Sequence, residues 1–478
     1  MKKKHFILTF ICVLFFSAYS YAQKYGTGMN FDDTRYNKIP KKAVLLSRDY
    51  SIIPASASLK MYCPTPRSQG SYGTCVGWSG AWGVRTILAA KAKGMTNPVE
   101  IAKEGFSPHF AYLHIKNEKD NNCQNGAFVD DVLKLFQDKG VPKLTDYSGE
   151  CPQNNPDESI YEKASNYKIK AHATLFASDE TKPFKLKAVK KALASGNPII
   201  IGMLCAPSFG AAKGAWKPTE IPDSKMGGHA MCVVGYDDNQ YGGAFEILNS
   251  WGNTWGNGGF IWIPYDTFID FVKYAYEAID FPTNLPNNVN DLAGSFKLET
   301  SNNTEMSANF VKKVGNVGIY QTKQPYFSGT KFRMYINNEQ PAFVYALGSD
   351  LATQKVNVIF PFNENISPAL NYKGNSIALP SEKHFVRMDN TIGKDYMCLL
   401  YSKEALDIED IKSRIAAEEG DFAQKVNAVL GNDLVKNTNF QNSKISFSAK
   451  SNQQKVVAMI AKSNQQKVVA MILEVEHQ

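Results

Sequence analysis

A cysteine in a glycine-bearing loop is the first residue of this chain whose surroundings suit catalysis. Cys75 follows Gly70 and Gly73, which permit a tight loop, and a helix is predicted to begin at or just after it. The positive end of a helix dipole favours the thiolate, which is the nucleophilic form. Gln69 offers an amide that, together with the Cys75 backbone N–H, could hold an oxyanion. The loop therefore predicts nucleophilic attack on a carbonyl carbon.

A histidine and an asparagine farther along the chain supply the other parts of such a site. His229 follows two glycines and leads into a predicted strand, so its imidazole is reachable and its backbone is fixed. A neutral imidazole near Cys75 would take the thiol proton and stay beside it as an ion pair. The amide oxygen of Asn249 could accept the second ring N–H, and Trp251 could cover that hydrogen bond.

These three motifs, in this order, resemble the papain family of cysteine peptidases. Cys75 precedes His229 by 154 residues, and His229 precedes Asn249 by 20. The resemblance covers residues 46–280. It implies Cys75 as the nucleophile, His229 as the base, Asn249 as the group that orients the histidine and Gln69 as the oxyanion glutamine. The implied reaction forms a thioester on Cys75, which water then hydrolyses, and it needs no cofactor.

Several positions depart from the family pattern. Residues 122–126 resemble the segment that pairs with the substrate backbone, but only Gly126 keeps a glycine that carries over. Tyr72 stands where papain itself has a cysteine, so the disulfide from that position is absent. Cys123 is then available to Cys151, and the sequence leaves open whether the two pair. Gly228 stands where many members carry a larger or acidic residue, so the pocket preference does not carry over.

The beginning of the chain predicts export. Lys2–Lys4 precede an apolar run, and residues 20–22 end in alanine, which is typical of a secretory signal peptide over residues 1–22. We therefore expect a secreted protein, in the periplasm, at the cell surface or outside the cell. Export permits disulfides, and the seven cysteines that remain after cleavage leave at least one free thiol. Residues 23–45 are polar and are predicted to form an irregular N-terminal arm. This arm is too short for a long inhibitory propeptide, so either no propeptide is needed or the arm has a smaller blocking role.

The composition of the chain limits the classes of partner that we expect it to bind. The formal charge of +8 includes Lys2–Lys4 and is spread along the chain, so no basic tract argues for nucleic acid. No later segment is apolar for long enough to cross a membrane. His109 and His114 lack any accompanying metal-ligand pattern, so no metal site is predicted. A peptide or protein substrate is the expected partner.

The periodicity predicts an α+β fold with two lobes for residues 46–280, helical first and β-rich second. Residues 281–292 carry proline and asparagine and are predicted as a linker. Residues 293–478 are predicted as a smaller, β-rich, sandwich-like domain with helical patterns near 403–430. Residues 325–333, 344–347 and 358–361 resemble uncharacterised bacterial domains appended to peptidases and kinases. The resemblance implies an accessory module that could bind a surface or protein partner.

The end of the chain holds an identical tandem repeat of 12 residues, at 449–460 and 461–472. Two copies are too few for a solenoid, and we assign the duplication no function.

The predicted function is a secreted cysteine peptidase with a papain-like domain. Two alternatives stay open. A transpeptidase or deamidase could use the same site, and product analysis with an added amine would separate it from a peptidase. A non-catalytic binding protein could use the same scaffold, and failure of Cys75 to react with a thiol-directed electrophile would favour it.

Overall fold

A computed structural model describes residues 25–149, 151, 156–280, 290–451 and 466–478. The predicted signal peptide (1–22) lies outside these residues. So do most of the predicted linker (281–289) and much of the tandem repeat (452–465). In the described part of the chain, no helix combines the length and apolar character needed to cross a bilayer.

The predicted helix that begins at Cys75 is present as one continuous helical segment. It starts with Cys75–Gly77, widens into a π-helix over Trp78–Arg85 and finishes with Thr86–Lys93. Gly94 ends it in the left-handed conformation, with its N–H bonded to carbonyls of the last turn. Every residue from Cys75 to Leu88 is buried, so the segment is the central helix of the first lobe.

The helices of the described chain are α1 (Asp33–Lys38), α2 (Ser47–Ser51), α3 (Cys75–Gly77), α4 (Thr86–Lys93), α5 (Pro98–Lys103), α6 (Pro108–Ile115), α7 (Val129–Asp138), α8 (Glu158–Ser165), α9 (Lys182–Ala194), α10 (Tyr265–Phe271), α11 (Ile408–Ala417) and α12 (Phe422–Leu430). The apolar residues of α7 recur at helical spacing, and Val132, Leu133 and Phe136 are buried. Val132 and Phe136 pack against Gly80, where a larger side chain would have little room.

The strands up to residue 280 are β1 (Lys41–Lys42), β2 (Ser56–Ser58), β3 (Ala171–Thr174), β4 (Ile199–Leu204), β5 (Gly228–Asp237), β6 (Ala244–Leu248), β7 (Phe260–Pro264) and β8 (Val272–Ile279). The antiparallel ladder β4–β5–β6–β7 positions the second half of the site. It pairs His229 with Met203 and Cys232 with Leu248, so Asn249 follows the end of β6 beside the start of β5.

The later strands are β9 (Leu292–Thr300), β10 (Ala308–Val314), β11 (Val317–Thr322), β12 (Lys331–Asn338), β13 (Ala342–Asp350), β14 (Asn357–Phe360), β15 (Ile366–Ser367), β16 (Ala369–Leu370), β17 (Asn375–Leu379), β18 (Val386–Arg387), β19 (Gly393–Ser402), β20 (Asn439–Phe440), β21 (Ser446–Ala449) and β22 (Val468–His477). Among the described residues, one sheet has the order β10-β11-β22-β19-β13-β14 with β16 beside β13. A second has the order β17-β12-β9-β21-β20 with β18 beside β12. The second copy of the repeat supplies the first half of β22.

The two halves of the chain share a sheet. Strand β15, from the later half, pairs in parallel with β1, which continues the order β15-β1-β3-β8-β4-β5-β6-β7, with β2 beside β5. Behind this junction Glu277 is fully buried. It accepts hydrogen bonds from Asn371 (2.8 Å) and Tyr372 (2.9 Å) and lies 3.7 Å from the Lys42 amine. The buried contacts therefore join the end of the arm, strand β8 of the second lobe and the later half of the chain.

Candidate functional site

Cys75 lies at the first turn of the central helix, between that helix and strand β5. Its Sγ accepts a hydrogen bond from the backbone N–H of Ala230 at 3.3 Å, which places the thiol one residue from His229. The side chain has no exposed surface. Burial raises the pKa of the thiol to about 12, although the backbone N–H groups of Ala230 and of the helix start act in the opposite direction. In this state the expected preference for the thiolate is therefore overcome by burial.

His229 and Asn249 are joined as the sequence predicts. The Asn249 Oδ1 lies 2.8 Å from Nε2 of His229 and also accepts the backbone N–H of Ser250. The Nδ1 atom of His229 is buried and has no hydrogen-bond partner among the described residues. Burial lowers the pKa of the imidazole to about 4, opposed by the hydrogen bond to Asn249. One ring nitrogen is thus held by the amide, and the other forms no hydrogen bond within the described chain.

Trp251 covers this histidine. Its ring is stacked on the imidazole with a centroid separation of 4.7 Å and an interplanar angle of 19°. Phe209 and Trp255 pack edge-on against Trp251, so the indole is fixed within an aromatic cluster. The predicted cover over the histidine–asparagine contact is therefore present in the structure.

Gln69 is buried beside the cysteine loop and is held at both ends of its amide. Its Oε1 accepts the Ser250 hydroxyl at 2.6 Å, and its Nε2 donates to the Tyr72 carbonyl at 2.8 Å. The backbone N–H of Gln69 also bonds the Ser250 carbonyl. Ser250 therefore fixes the glutamine, and it is a site residue that the sequence reasoning missed; its position directly after Asn249 was the available signal.

Gly126 lies on the opposite side of the cysteine loop. It adopts a positive φ of 71°, and its α-carbon faces the carbonyl oxygen of Gly28 so closely that a methyl group would overlap it. The preceding loop is tied by a disulfide between Cys123 and Cys151, which settles the pairing that the sequence left open. Asp120 also binds this loop, accepting the backbone N–H of Gln124 at 3.0 Å.

The polar arm passes between the start of strand β5 and the loop that carries Gly126. The backbone N–H groups of Gly28 and Met29 both donate to the Gly228 carbonyl, at 3.0 and 2.9 Å. On the other side, the N–H of Ala127 donates to the Gly28 carbonyl and the N–H of Asn30 donates to the Ala127 carbonyl, both at 2.9 Å. The arm thus bridges the residue before His229 and the residue after Gly126.

The first described residues of the arm lie against Trp251. Tyr25 stacks on Trp251 at 4.8 Å, and the Trp251 indole donates to the Gly26 carbonyl at 2.8 Å. Gly26 packs so closely on the Tyr72 carbonyl that an added methyl group would overlap it, and Gly28 packs equally closely on Gly73. The glycines of the arm are therefore required by its close approach to the cysteine loop.

Side chains of Met29 and Arg35 anchor the arm as well. Met29 is buried and fills the space that Gly202 leaves on β4. Arg35 pairs with Asp130 at 2.6 Å and with Asp131, both on α7. The arm was predicted to be irregular, yet it contains helix α1 and ends at strand β1. The composition concealed this order, because the buried residues of the arm, such as Met29 and Tyr36, are isolated among polar ones, and backbone bonds and ion pairs supply the other contacts.

A cysteine at a helix start, with a histidine and an asparagine from adjoining strands, defines the class of cysteine-nucleophile sites in α+β folds. Residues 60–275 match the family described as papain family cysteine protease. The chain therefore carries a papain-family cysteine protease domain, which the sequence motifs predicted.

The chain is also similar to curated relatives and to solved structures. An uncharacterized peptidase C1-like protein of Acanthamoeba polyphaga mimivirus is 32% identical over 24% of this chain and 38% of its own length. Cysteine proteinase 3 of Entamoeba histolytica is 27% identical over 31% of this chain and 46% of its own length. The chain thus spans about two fifths to half of these relatives. Among solved structures, xylellain, a cysteine protease from Xylella fastidiosa, is 23% identical, with 54% of this chain and 96% of that chain covered and a TM-score of 0.43.

Proposed function

We propose that the protein is a secreted cysteine peptidase that hydrolyses peptide bonds through a thioester on Cys75. The observation that carries this proposal is the arrangement around His229. Its Nε2 contacts Asn249, its Nδ1 has no partner among the described residues, and the adjacent backbone N–H bonds the Cys75 sulfur. A base within reach of a nucleophile and oriented by a third group is what nucleophilic catalysis needs.

The reaction divides into two acyl-transfer steps. Nδ1 of His229 takes the thiol proton, and the Cys75 thiolate attacks the peptide carbonyl. Nε2 of Gln69 and the Cys75 backbone N–H hold the oxyanion. His229 then returns the proton to the leaving amine as the C–N bond breaks, which leaves a thioester. Water that has given a proton to His229 attacks the thioester, and the acid and the free thiol are released.

The described state is latent under this proposal. The arm takes the backbone hydrogen bonds of Gly228 and Ala127, and it lies against Gly73 of the cysteine loop. A peptide substrate needs the same space. Full burial also keeps both reacting groups neutral, since it raises the pKa of Cys75 and lowers the pKa of His229. Displacement of the arm is therefore a condition for activity.

Secretion is part of the proposal and rests on separate support. Residues 1–22 have the pattern of a signal peptide, and the Cys123–Cys151 disulfide suits an oxidising compartment. Isolation of the mature protein from its source and sequencing of its first residues tests this part, with a start at Gln23 as the expected result.

Labelling with a peptidyl epoxide tests the peptidase proposal. We expect one label on Cys75 by mass mapping, loss of casein hydrolysis on labelling, and neither label nor hydrolysis in Cys75→Ala. Because the arm covers the site, the same assay is run on Gly26→Ala, in which the arm is loosened. Hydrolysis by Cys75→Ala, or a Gly26→Ala protein that is folded yet takes no label, would contradict the proposal.

A further inference from the structure

A cavity lies far along the central helix from Cys75, where the helix ends against the later half of the chain. It has a volume of about 520 Å³, which is within the usual range for sites of small ligands. Arg85 and Lys91 of the helical segment form one wall, and Asn371 and Lys373 from the later half form another. The cavity therefore spans the junction of the two halves.

The cavity has an excess of positive charge. Its lining includes five cationic side chains and two acidic ones. Glu104 pairs with Lys93 at 2.8 Å and with Lys143, and Asp280 lies 3.6 Å from Arg85. The cations of the lining are Arg85, Lys91, Lys93, Lys143 and Lys373. The two acids cannot balance them.

Two of these lysines form no ion pair among the described residues, although Glu277 attracts Lys91 from a greater distance. The Lys91 amine donates to the Gly196 carbonyl at 2.5 Å, and no carboxylate of the described chain lies within ion-pair distance of it. Lys373 likewise forms no ion pair within the described residues. Cations grouped around a cavity repel one another, and an anion between them would remove that repulsion.

Two asparagines of the same lining have polar atoms that are not hydrogen-bonded within the described chain. The Nδ2 of Asn197 and the Oδ1 of Asn371 are buried and have no hydrogen-bond partner among the described residues. The Asn371 amide is oriented, because its Nδ2 donates to Glu277 at 2.8 Å. A buried donor and a buried acceptor without partners are unfavourable, and a ligand with both kinds of group would satisfy them.

We propose that this cavity binds a small organic or inorganic polyanion, one that carries carboxylate or phosphate groups. Lys91, Lys373 and Arg85 supply charge-assisted hydrogen bonds to the anionic groups, and Asn197 and Asn371 bond the polar remainder. The ligand contacts the helix that begins at Cys75 and residues of the later half, so its binding stabilises the junction. This inference does not depend on the proposed peptidase function.

Calorimetric titration of the full protein with inorganic phosphate and, separately, with citrate tests the site. We expect saturable binding of one of these probes, with one site per chain, and a concentration-dependent rise in Tm. Binding of phosphate alone assigns phosphorylated ligands, and binding of citrate alone assigns polycarboxylates. Sodium chloride at matched ionic strength gives the reference.

Single lysine substitutions provide the matched comparison. Lys373→Gln, at an exposed position that does not threaten folding, is expected to weaken binding of the active probe at least tenfold, and Lys91→Gln should do the same. Lys119→Gln, an exposed lysine elsewhere, should leave binding unchanged. Absence of saturable binding for both probes, or equal weakening in all three variants, would overturn the proposal.

Discussion

One oxygen of the Asn249 side chain makes two contacts. Its Oδ1 contacts Nε2 of His229 and also accepts the backbone N–H of Ser250. Asn249→Ala removes the group that fixes the imidazole. A misplaced catalytic group costs about 100-fold in rate, and we expect a loss of that order in kcat with a smaller change in KM. Steady-state hydrolysis of a peptide substrate measures it.

Asn253→Ala is the matched control, since this exposed asparagine lies in the same loop. Substitution of Asn249 also leaves a buried ring nitrogen without a partner, which costs about 1–3 kcal/mol of stability. Thermal unfolding of both variants separates that loss from the kinetic one. A kcat for Asn249→Ala equal to that of Asn253→Ala would show that Asn249 does not position the histidine.

Gly26 tests whether the arm controls access to the site. A methyl group at this position overlaps the Tyr72 carbonyl, so Gly26→Ala should lift the arm and raise the rate at which Cys75 is alkylated at least several-fold. Gly210→Ala is the control, because an added methyl group there meets no atom within 4 Å. Equal alkylation rates in the two variants would mean that the arm does not limit access.

The pH dependence of this alkylation follows from the burial of the pair. With the arm in place the pKa of the Cys75 thiol is about 12, so the thiolate fraction, and the rate with iodoacetamide, should rise throughout pH 6–10. Lifting the arm admits water to Cys75 and so removes the burial that raises the pKa of its thiol. In Gly26→Ala the alkylation rate should therefore rise at lower pH than in the unchanged protein. Identical pH profiles for the two proteins would count against burial as the cause of the raised pKa.

At the scale of elements, the sequence predicted what depends on local pattern. Gly94 is the kind of residue that ends a helix, and the apolar residues of α7 recur at helical spacing, so both features can be recognised in the sequence. The pairing of strands that are distant in the sequence could not be predicted from local pattern. Strands β12 and β13 flank a polar turn yet belong to different sheets, and β1 has only two residues, too few for any alternation to appear.

The loop that carries Gly126 depends on a covalent tie. The Cys123–Cys151 disulfide spans 28 residues, and closing a loop of that length stabilises a fold by about 3.5 kcal/mol in the chain-entropy account. We expect reductant to lower the Tm of the protein, as measured by calorimetry. The double variant Cys123→Ala with Cys151→Ala should already have the lower Tm and should not respond to reductant. A response of the same size in the double variant would assign the effect to another thiol pair.

At the scale of the whole molecule, the junction between the halves is built on a buried charge. Glu277 accepts bonds from two residues of the later half and faces Lys42, whose pKa is lowered by burial and raised back in part by this carboxylate. The motifs gave no hint of this junction, because its residues are scattered in sequence and none belongs to a recognisable pattern. The candidate site, by contrast, was predictable because each of its residues sits in a local motif.

Glu277→Ala would leave the Lys42 amine buried without its counter-charge, and we expect a loss of about 3–5 kcal/mol in the free energy of unfolding, measured with urea. Glu404→Ala provides the comparison. It removes another ion pair between the halves, with Lys170, but that pair is partly exposed and should contribute less than about 1 kcal/mol.

Addition of Lys42→Met to Glu277→Ala should recover part of the lost stability, since the unpaired amine is then gone. If the two single variants lose equal stability, burial of the charge is not what holds the halves together, and the apolar contacts around β1 and β15 become the explanation.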